Sequence, residues 1–190
     1  ILLENTNFMV IGTIVLVVSS FSGLYGVMLA IVQHNLKRLL AYHSIENIGI
    51  IGMGIGLGAI GVGIGNPFLA FAGFAGGLLH VLNHSLFKSL LFYGSGNIYQ
   101  AIHTLNIDGM GGLVKQMPRT AILFLIAALA ICGLPPFNGF VSEFLIYLGL
   151  FEAIHTGQFE FTALIILSTL GLVLIGGLAI LCFTKAFGII

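Results

Sequence analysis

Apolar positions run along this chain in long blocks separated by short polar connections. Crossing roughly 30 Å of bilayer hydrocarbon takes about 20 mainly apolar residues in helical form. Five blocks reach that length: Phe8 to Val32, Leu39 to Ile64, Phe68 to Tyr99, Thr120 to Leu150, and Phe161 to about Leu181. The pattern predicts an all-α polytopic membrane protein, with residues 1–190 forming a single membrane domain of about five transmembrane helices. The fourth block holds Gly133-Leu134-Pro135-Pro136-Phe137-Asn138-Gly139 at its centre. Proline removes backbone donors and glycine relaxes the helix, so this span is predicted to be broken. Broken spans are tolerated only where they are buried in protein or face a wet cavity, and they recur at the midplane sites of ion-coupled transporters. A simple kink against a neighbouring helix is the alternative.

Placing the connections on alternate sides gathers Lys37, Arg38, Lys115, Arg119 and Lys185 on one side with Asp108, and Glu4, Glu152 and Glu160 on the other. The positive-inside rule makes the first side cytoplasmic. The expectation is a multi-pass protein of the cell's inner membrane that starts outside and ends inside. Composition agrees: 58% of the 190 residues are hydrophobic and 6% charged, with a mean hydropathy of +1.16, whereas soluble domains are roughly 25% charged. A soluble domain is excluded. Six Lys and Arg balance six Asp and Glu, and no basic run exceeds Lys37-Arg38, so nothing points to nucleic acid. Cys132 and Cys182 sit singly in apolar stretches and read as small buried hydrophobes. The first block lacks the basic flank and cleavage site of a signal peptide. With no initial Met and no polar tail, the expectation is a piece of a longer polypeptide.

The second block is rich in glycine, with small-xxx-small pairs such as Gly52/Gly56 and Gly54/Gly58 that permit close helix approach in lipid. Its Gly56-Leu57-Gly58-Ala59-Ile60-Gly61 matches G-x-G-x-x-G, but it follows no alternating strand and precedes no acidic residue at the required distance, so dinucleotide binding is set aside.

Glu46, Lys88 and Glu143 lie inside predicted spans. An ionised side chain at the bilayer centre costs at least ~2.5–3.5 kcal/mol, so such residues face protein or water and are functional candidates. Lys88 falls roughly 16 Å along its helix from Tyr99 and about 30 Å from Phe68, too deep to snorkel easily. His84 and His80 precede it by four and eight residues, which puts all three on one face, flanked by Asn83. Histidine exchanges protons near neutral pH, and lysine does so once stripped of water. The row reads as a proton relay; interhelical hydrogen bonds and a lysine locking a carboxylate are the structural alternative. A zinc site on the His-x3-His pair lacks a third ligand, and no metal site is expected. Glu143 follows the break by four residues, where freed backbone groups and water would let it take up and release protons; a fixed ion pair is the alternative. Glu46 lies about 12 Å inside the boundary marked by Arg38, with His43 and Asn47 on its face. It reads equally as the start of a cytoplasmic proton route or as a packing residue.

Four blocks carry a family resemblance: Gln33 to Ser44 (QHNLKRLLAYHS), His80 to Phe92 (HVLNHSLFKSLLF), Met110-Gly111-Gly112-Leu113, and Gly133 to Phe144 (GLPPFNGFVSEF). The chain resembles the antiporter-type proton-translocating membrane subunits of respiratory complex I and membrane-bound hydrogenases. His43 to Gly49 (HSIENIG) is most similar to the hydrogenase 4 component B and formate hydrogenlyase branch. Complex I members usually have Ser or Thr at the position of His43 and no Glu at that of Glu46. The resemblance implies a subunit of about fourteen helices built from inverted repeats, of which this chain would cover roughly the ninth to the thirteenth. It implies that Lys88, His84 and His80 match the central proton-transfer row, and that Glu143 matches the charged residue of the broken helix, thought to release protons outward. The family's other essential Glu and Lys would lie in a half not included here, so this piece alone is not expected to pump.

The function expected is proton translocation coupled to electron transfer in partner subunits. No cysteine cluster, haem motif or nucleotide loop is present, so no cofactor is expected on this chain. Fe–S centres, a Ni–Fe site or quinone would belong to the partners. Those partners are other membrane subunits, a peripheral electron-transfer arm, the remaining helices of the parent chain, and lipid. Whether the chain counts as part of an enzyme depends on them. A subunit of a multi-subunit Na⁺/H⁺ antiporter and a structural membrane scaffold are the competing readings.

Overall fold

The computed structural model describes residues 5–155 and 159–189. Glu4 lies outside them, as does the side chain of Glu160. The described residues are helical, with one isolated bridge between Asn35 and Asn106. Three long helices, α1 (Asn5–Ile31), α2 (Leu36–Ile64) and α3 (Pro67–Ile102), form an antiparallel row with α2 in the middle. A 3-10 turn at Ile107–Gly109 and a short helix α4 (Leu113–Gln116) lead into α5 (Pro118–Ile131) and α6 (Asn138–Ile154), and α7 (Phe159–Ile189) packs on α1, α5 and α6. Among the described residues four helices are long and apolar enough to cross a membrane: Asn7–Ile31, Leu36–Ile64, Pro67–Ile102 and Phe161–Gly188. The fourth sequence block is divided into α5 and α6.

Helix ends depart from the apolar blocks because caps, and not hydropathy, terminate helices. α2 starts three residues before Leu39, where the Asn35 side chain accepts from the Arg38 N–H at 3.2 Å. It ends on Gly65 in the left-handed region (φ 70°), whose N–H reaches the carbonyls of Gly61 and Val62. Asn66 then caps α3, accepting from the Leu69 N–H at 3.0 Å ahead of Pro67 at the first helical position. Such caps satisfy the donors that a helix N-terminus leaves open. α3 continues past Tyr99 to Ile102, and α7 past Leu181 to Ile189.

The glycines of α2 serve two partners. On one face Gly56 lies against α1, where an added Cβ would stand 2.8 Å from the Gly12 carbonyl. On the other Gly54 lies against α3, where it would stand 2.7 Å from the Gly77 Cα. Backbone-to-backbone contact on both sides is what close packing in lipid requires, since apolar burial gives no driving force there.

The two ends of the bundle are closed differently. At one, His34 bonds Asp108 at 2.7 Å, Leu36 N–H reaches the Leu105 carbonyl at 2.9 Å, and Ile107 N–H reaches the His34 carbonyl at 2.8 Å. The segment after α3 is thereby tied to the α1–α2 turn. At the other, Asn66 donates to the Glu152 carboxylate at 2.9 Å. The outward faces carry Phe21, Tyr25, Phe71, Leu78 and Tyr93, each more than 60% exposed, an apolar surface far beyond what a water-facing monomer tolerates.

Candidate functional site

The break in the fourth span organises the site. α5 ends at Ile131 with Cys132 as its cap, Gly133 takes φ +62°, and the chain turns through Leu134-Pro135-Pro136-Phe137 before α6 begins at Asn138. Phe137 offers no side-chain cap to α6. Instead the new helix is gripped from outside. Asn83 of α3 donates to the Asn138 carbonyl at 2.8 Å, and the Asn138 amide donates to Asn83 Oδ1 at 3.0 Å. Two glycines allow the turn. A Cβ on Gly139 would overlap the Ala130 carbonyl, and one on Gly133 would stand 2.8 Å from the Glu143 carboxyl carbon. Both prolines are exposed on the outer side of the break.

A continuous polar layer crosses α2, α3 and α6 at this level, roughly 17 Å in from the start of α2. His43 Nδ1 donates to the Glu46 carboxylate, both fully buried. Asn47 Nδ2 donates to the His43 carbonyl at 2.8 Å, which turns Asn47 Oδ1 toward His80. His80 Nε2 donates to that oxygen at 3.1 Å, and its Nδ1 lies 2.9 Å from Ser142 Oγ. Ser142 in turn donates to the Gly139 carbonyl at 2.9 Å and receives Asn83 Nδ2 at 3.0 Å. Buried polar groups must find partners because desolvation without one costs about 1–3 kcal/mol. Here they find each other across three helices.

The histidine–lysine row is not bonded along itself. His80 turns to Asn47 and Ser142. Lys88, 6% exposed, donates its ammonium to the Leu40 carbonyl and lies within 5.9 Å of the Phe92 ring centroid. His84 sits edge-on to Phe87 at 5.7 Å, with its Nε2 buried and unpartnered. His43 Nε2 is orphaned in the same way, its ring lying 4.7 Å from that of Phe183 on α7. Among the described residues Lys88 makes no ion pair, although Glu46 is close enough to act on it by charge, as it is on Glu143. Glu143 is 8% exposed, with its carboxyl over Gly133 at the break. Lys37 and Arg38 stand on the exposed first turn of α2, Lys37 over the Tyr99 ring at 5.4 Å. Cys132 and Cys182 are free thiols, both buried. No group of three or more His, Cys, Asp or Glu among the described residues is arranged to hold a metal.

The sequence marks His80, His84, Lys88, Glu46, His43, Glu143 and the break one by one, but not Ser142. A helical serine usually bonds back within its own helix, so its type carried no signal. Its place beside Glu143, one turn into α6, was the available clue.

The transmembrane family described as NADH:quinone oxidoreductase/Mrp antiporter matches residues 2–171. Formate hydrogenlyase subunit 3 of Escherichia coli (strain K12) is 42% identical over 94% of the chain and 29% of its own length. Hydrogenase-4 component B of the same organism is 41% identical over 94% and 26%. A chain in the structure of the membrane-bound sulfane sulfur reductase, an archaeal respiratory membrane complex, superposes with a TM-score of 0.68 at 26% identity, covering 90% of this chain and 32% of that one. The chain thus spans under a third of the length of the relatives it matches. With its apolar helices, divided fourth span and buried polar layer, it is a multi-pass membrane protein that belongs to the NADH:quinone oxidoreductase/Mrp antiporter family.

Proposed function

We propose that this chain is one membrane domain of a longer proton-translocating subunit, driven by electron transfer in partner subunits of a hydrogenase or complex I-type oxidoreductase. The observation that carries the reading is the hydrogen-bonded layer from Glu46 and His43 through Asn47 and His80 to Ser142 at the α5–α6 break, beside buried Lys88 and Glu143. Sequestering these five ionisable groups in this way is costly and has a purpose where protons are moved. Water at His43 Nε2 and His84 Nε2, both short of partners, would join Lys88 to this layer. Protons would enter from the side of Lys37 and Arg38, taken as cytoplasmic, and leave past Glu143. In this reading the fold lies in the inner membrane, with its first helix starting outside and its last ending in the cytoplasm. The exposed Pro135-Pro136 bend needs cover within the bilayer, which further helices of the same subunit or of neighbouring membrane subunits would supply. Fe–S, Ni–Fe or quinone chemistry belongs to those partners and a peripheral arm.

The test is donor-driven acidification of inside-out vesicles carrying the full-length parent complex, with and without Lys88→Met, at matched assembly and donor oxidation. Acidification is expected to fall at least about tenfold in the variant, the loss typical of removing a proton-transfer group. Unchanged acidification would make the lysine structural. Sodium-dependent proton flux with no redox donor would instead select a Na⁺/H⁺ antiporter subunit; the family's description names an antiporter beside the oxidoreductase.

A further inference from the structure

Ser142 is the hydroxyl at which α3 and α6 meet in the polar layer, and its hydrogen count is informative. A serine oxygen has one hydrogen to give and two lone pairs. Asn83 Nδ2 occupies one lone pair at 3.0 Å. Two acceptors then compete for the single hydrogen: the Gly139 carbonyl at 2.9 Å, and His80 Nδ1, also at 2.9 Å, whenever that nitrogen is unprotonated. The tautomer of His80 is set by Asn47. Because Asn47 Nδ2 is committed to the His43 carbonyl, the end presented to His80 Nε2 is an oxygen, so Nε2 carries hydrogen in both charge states. Only Nδ1 changes.

We propose that Ser142 is a proton-responsive rotor that reports the charge of His80 to the first turn of α6. When His80 is neutral, the hydroxyl hydrogen points to Nδ1. When His80 takes up a proton, Nδ1–H donates to Ser142 Oγ, and the hydroxyl hydrogen turns to the Gly139 carbonyl. In that second arrangement every contact of the oxygen is filled: one hydrogen given, two received. The turn engages Gly139, which is pressed against the Ala130 carbonyl at the end of α5, and it occurs on the residue next to Glu143. Among the described residues, the titratable groups near this hub or in charge contact with those near it are His43 and Glu46 of α2, His84 and Lys88 of α3, Glu143 and Tyr147 of α6, Cys132 of α5, and Cys182 and Lys185 of α7. Among the described residues none of them hydrogen-bonds Ser142, which leaves His80 as its titrating contact. The inference deepens the translocation reading, on which its functional consequence rests, and makes Ser142 a positioning residue.

Two variants of the full-length parent complex separate the possibilities. Ser142→Ala removes the rotor; Ser142→Thr keeps a hydroxyl. In ¹⁵N-histidine spectra of the assembled complex, with the His80 signal assigned through His80→Gln, Ser142→Ala is expected to move the His80 titration midpoint by about one pH unit, the scale of one charge-assisted hydrogen bond. Ser142→Thr is expected to restore it. This readout does not depend on pumping, so it judges the rotor even if donor-driven acidification is absent and the translocation reading fails. Where acidification is present, Ser142→Ala is expected to lower it about tenfold and alter its pH profile when compared at matched assembly and donor oxidation. An unmoved midpoint in Ser142→Ala, or a Thr variant as impaired as the Ala variant, overturns the proposal.

Discussion

Lys88 holds its ammonium against a backbone carbonyl, that of Leu40, and Glu46 holds its carboxylate against His43. Each buried charge thus has a local partner, and neither is locked to the other. A buried pair in direct contact resists separation by several kcal/mol, whereas charges held apart by local partners can be rebalanced when a proton arrives. The Asn83–Asn138 clasp is a second arrangement of this kind, in which one side chain supplies both donor and acceptor to the start of α6. Asn83→Ala leaves two polar groups of Asn138 without these partners, at a cost of about 1–3 kcal/mol. Amide exchange over residues 138–142 is therefore expected to accelerate about tenfold or more, the equivalent of about 1.4 kcal/mol. Unchanged exchange would show that the clasp does not hold the turn.

The broken fourth span explains why α5 and α6 are both short. Neither α5, with 14 residues, nor α6, with 17, reaches the roughly 20 residues a span requires, and the exposed prolines mark where the two halves are joined. The break could be anticipated because Pro-Pro between glycines cannot continue a helix. Its tightness could not, since the Ala130 carbonyl of α5 stands where a Cβ on Gly139 of α6 would be, and that depends on how the two helices meet. Gly139→Ala is expected to destabilise the subunit by about 1–3 kcal/mol through overpacking. Thermal unfolding of the purified full-length protein checks this, and a wild-type melting temperature would mean that the turn relaxes freely.

Across the bundle, α2 is the spine. It presents Gly56 to α1 and Gly54 to α3, and it supplies His43, Glu46 and Asn47 to the polar layer. Close backbone approach therefore also sets how deeply those side chains reach into their neighbours. Gly54→Leu would drive a large side chain into the α3 backbone at Gly77, at a cost of about 1–3 kcal/mol or more. The expected outcome is loss of assembled complex in membranes, read by native electrophoresis. Full assembly with normal acidification would mean that the α2–α3 contact tolerates separation.

The amino-acid sequence by itself determined the environment, the helical architecture and the location of the break, because hydropathy, proline and glycine act over a few neighbouring residues. It also marked His80, Lys88, Glu46 and Glu143, since a polar side chain in an apolar block stands out wherever the block folds. Only the tertiary structure decided which of these meet. The i, i+4, i+8 spacing put His80, His84 and Lys88 on one face, yet His80 bonds across to α2 and α6, and Lys88 reaches the Leu40 carbonyl. Partners in lipid are chosen by which backbones approach closely, and that depends on residues far apart in the chain. Ser142 was invisible for the same reason: its role comes from Asn83, His80 and Gly139 converging on one oxygen, which no local pattern records.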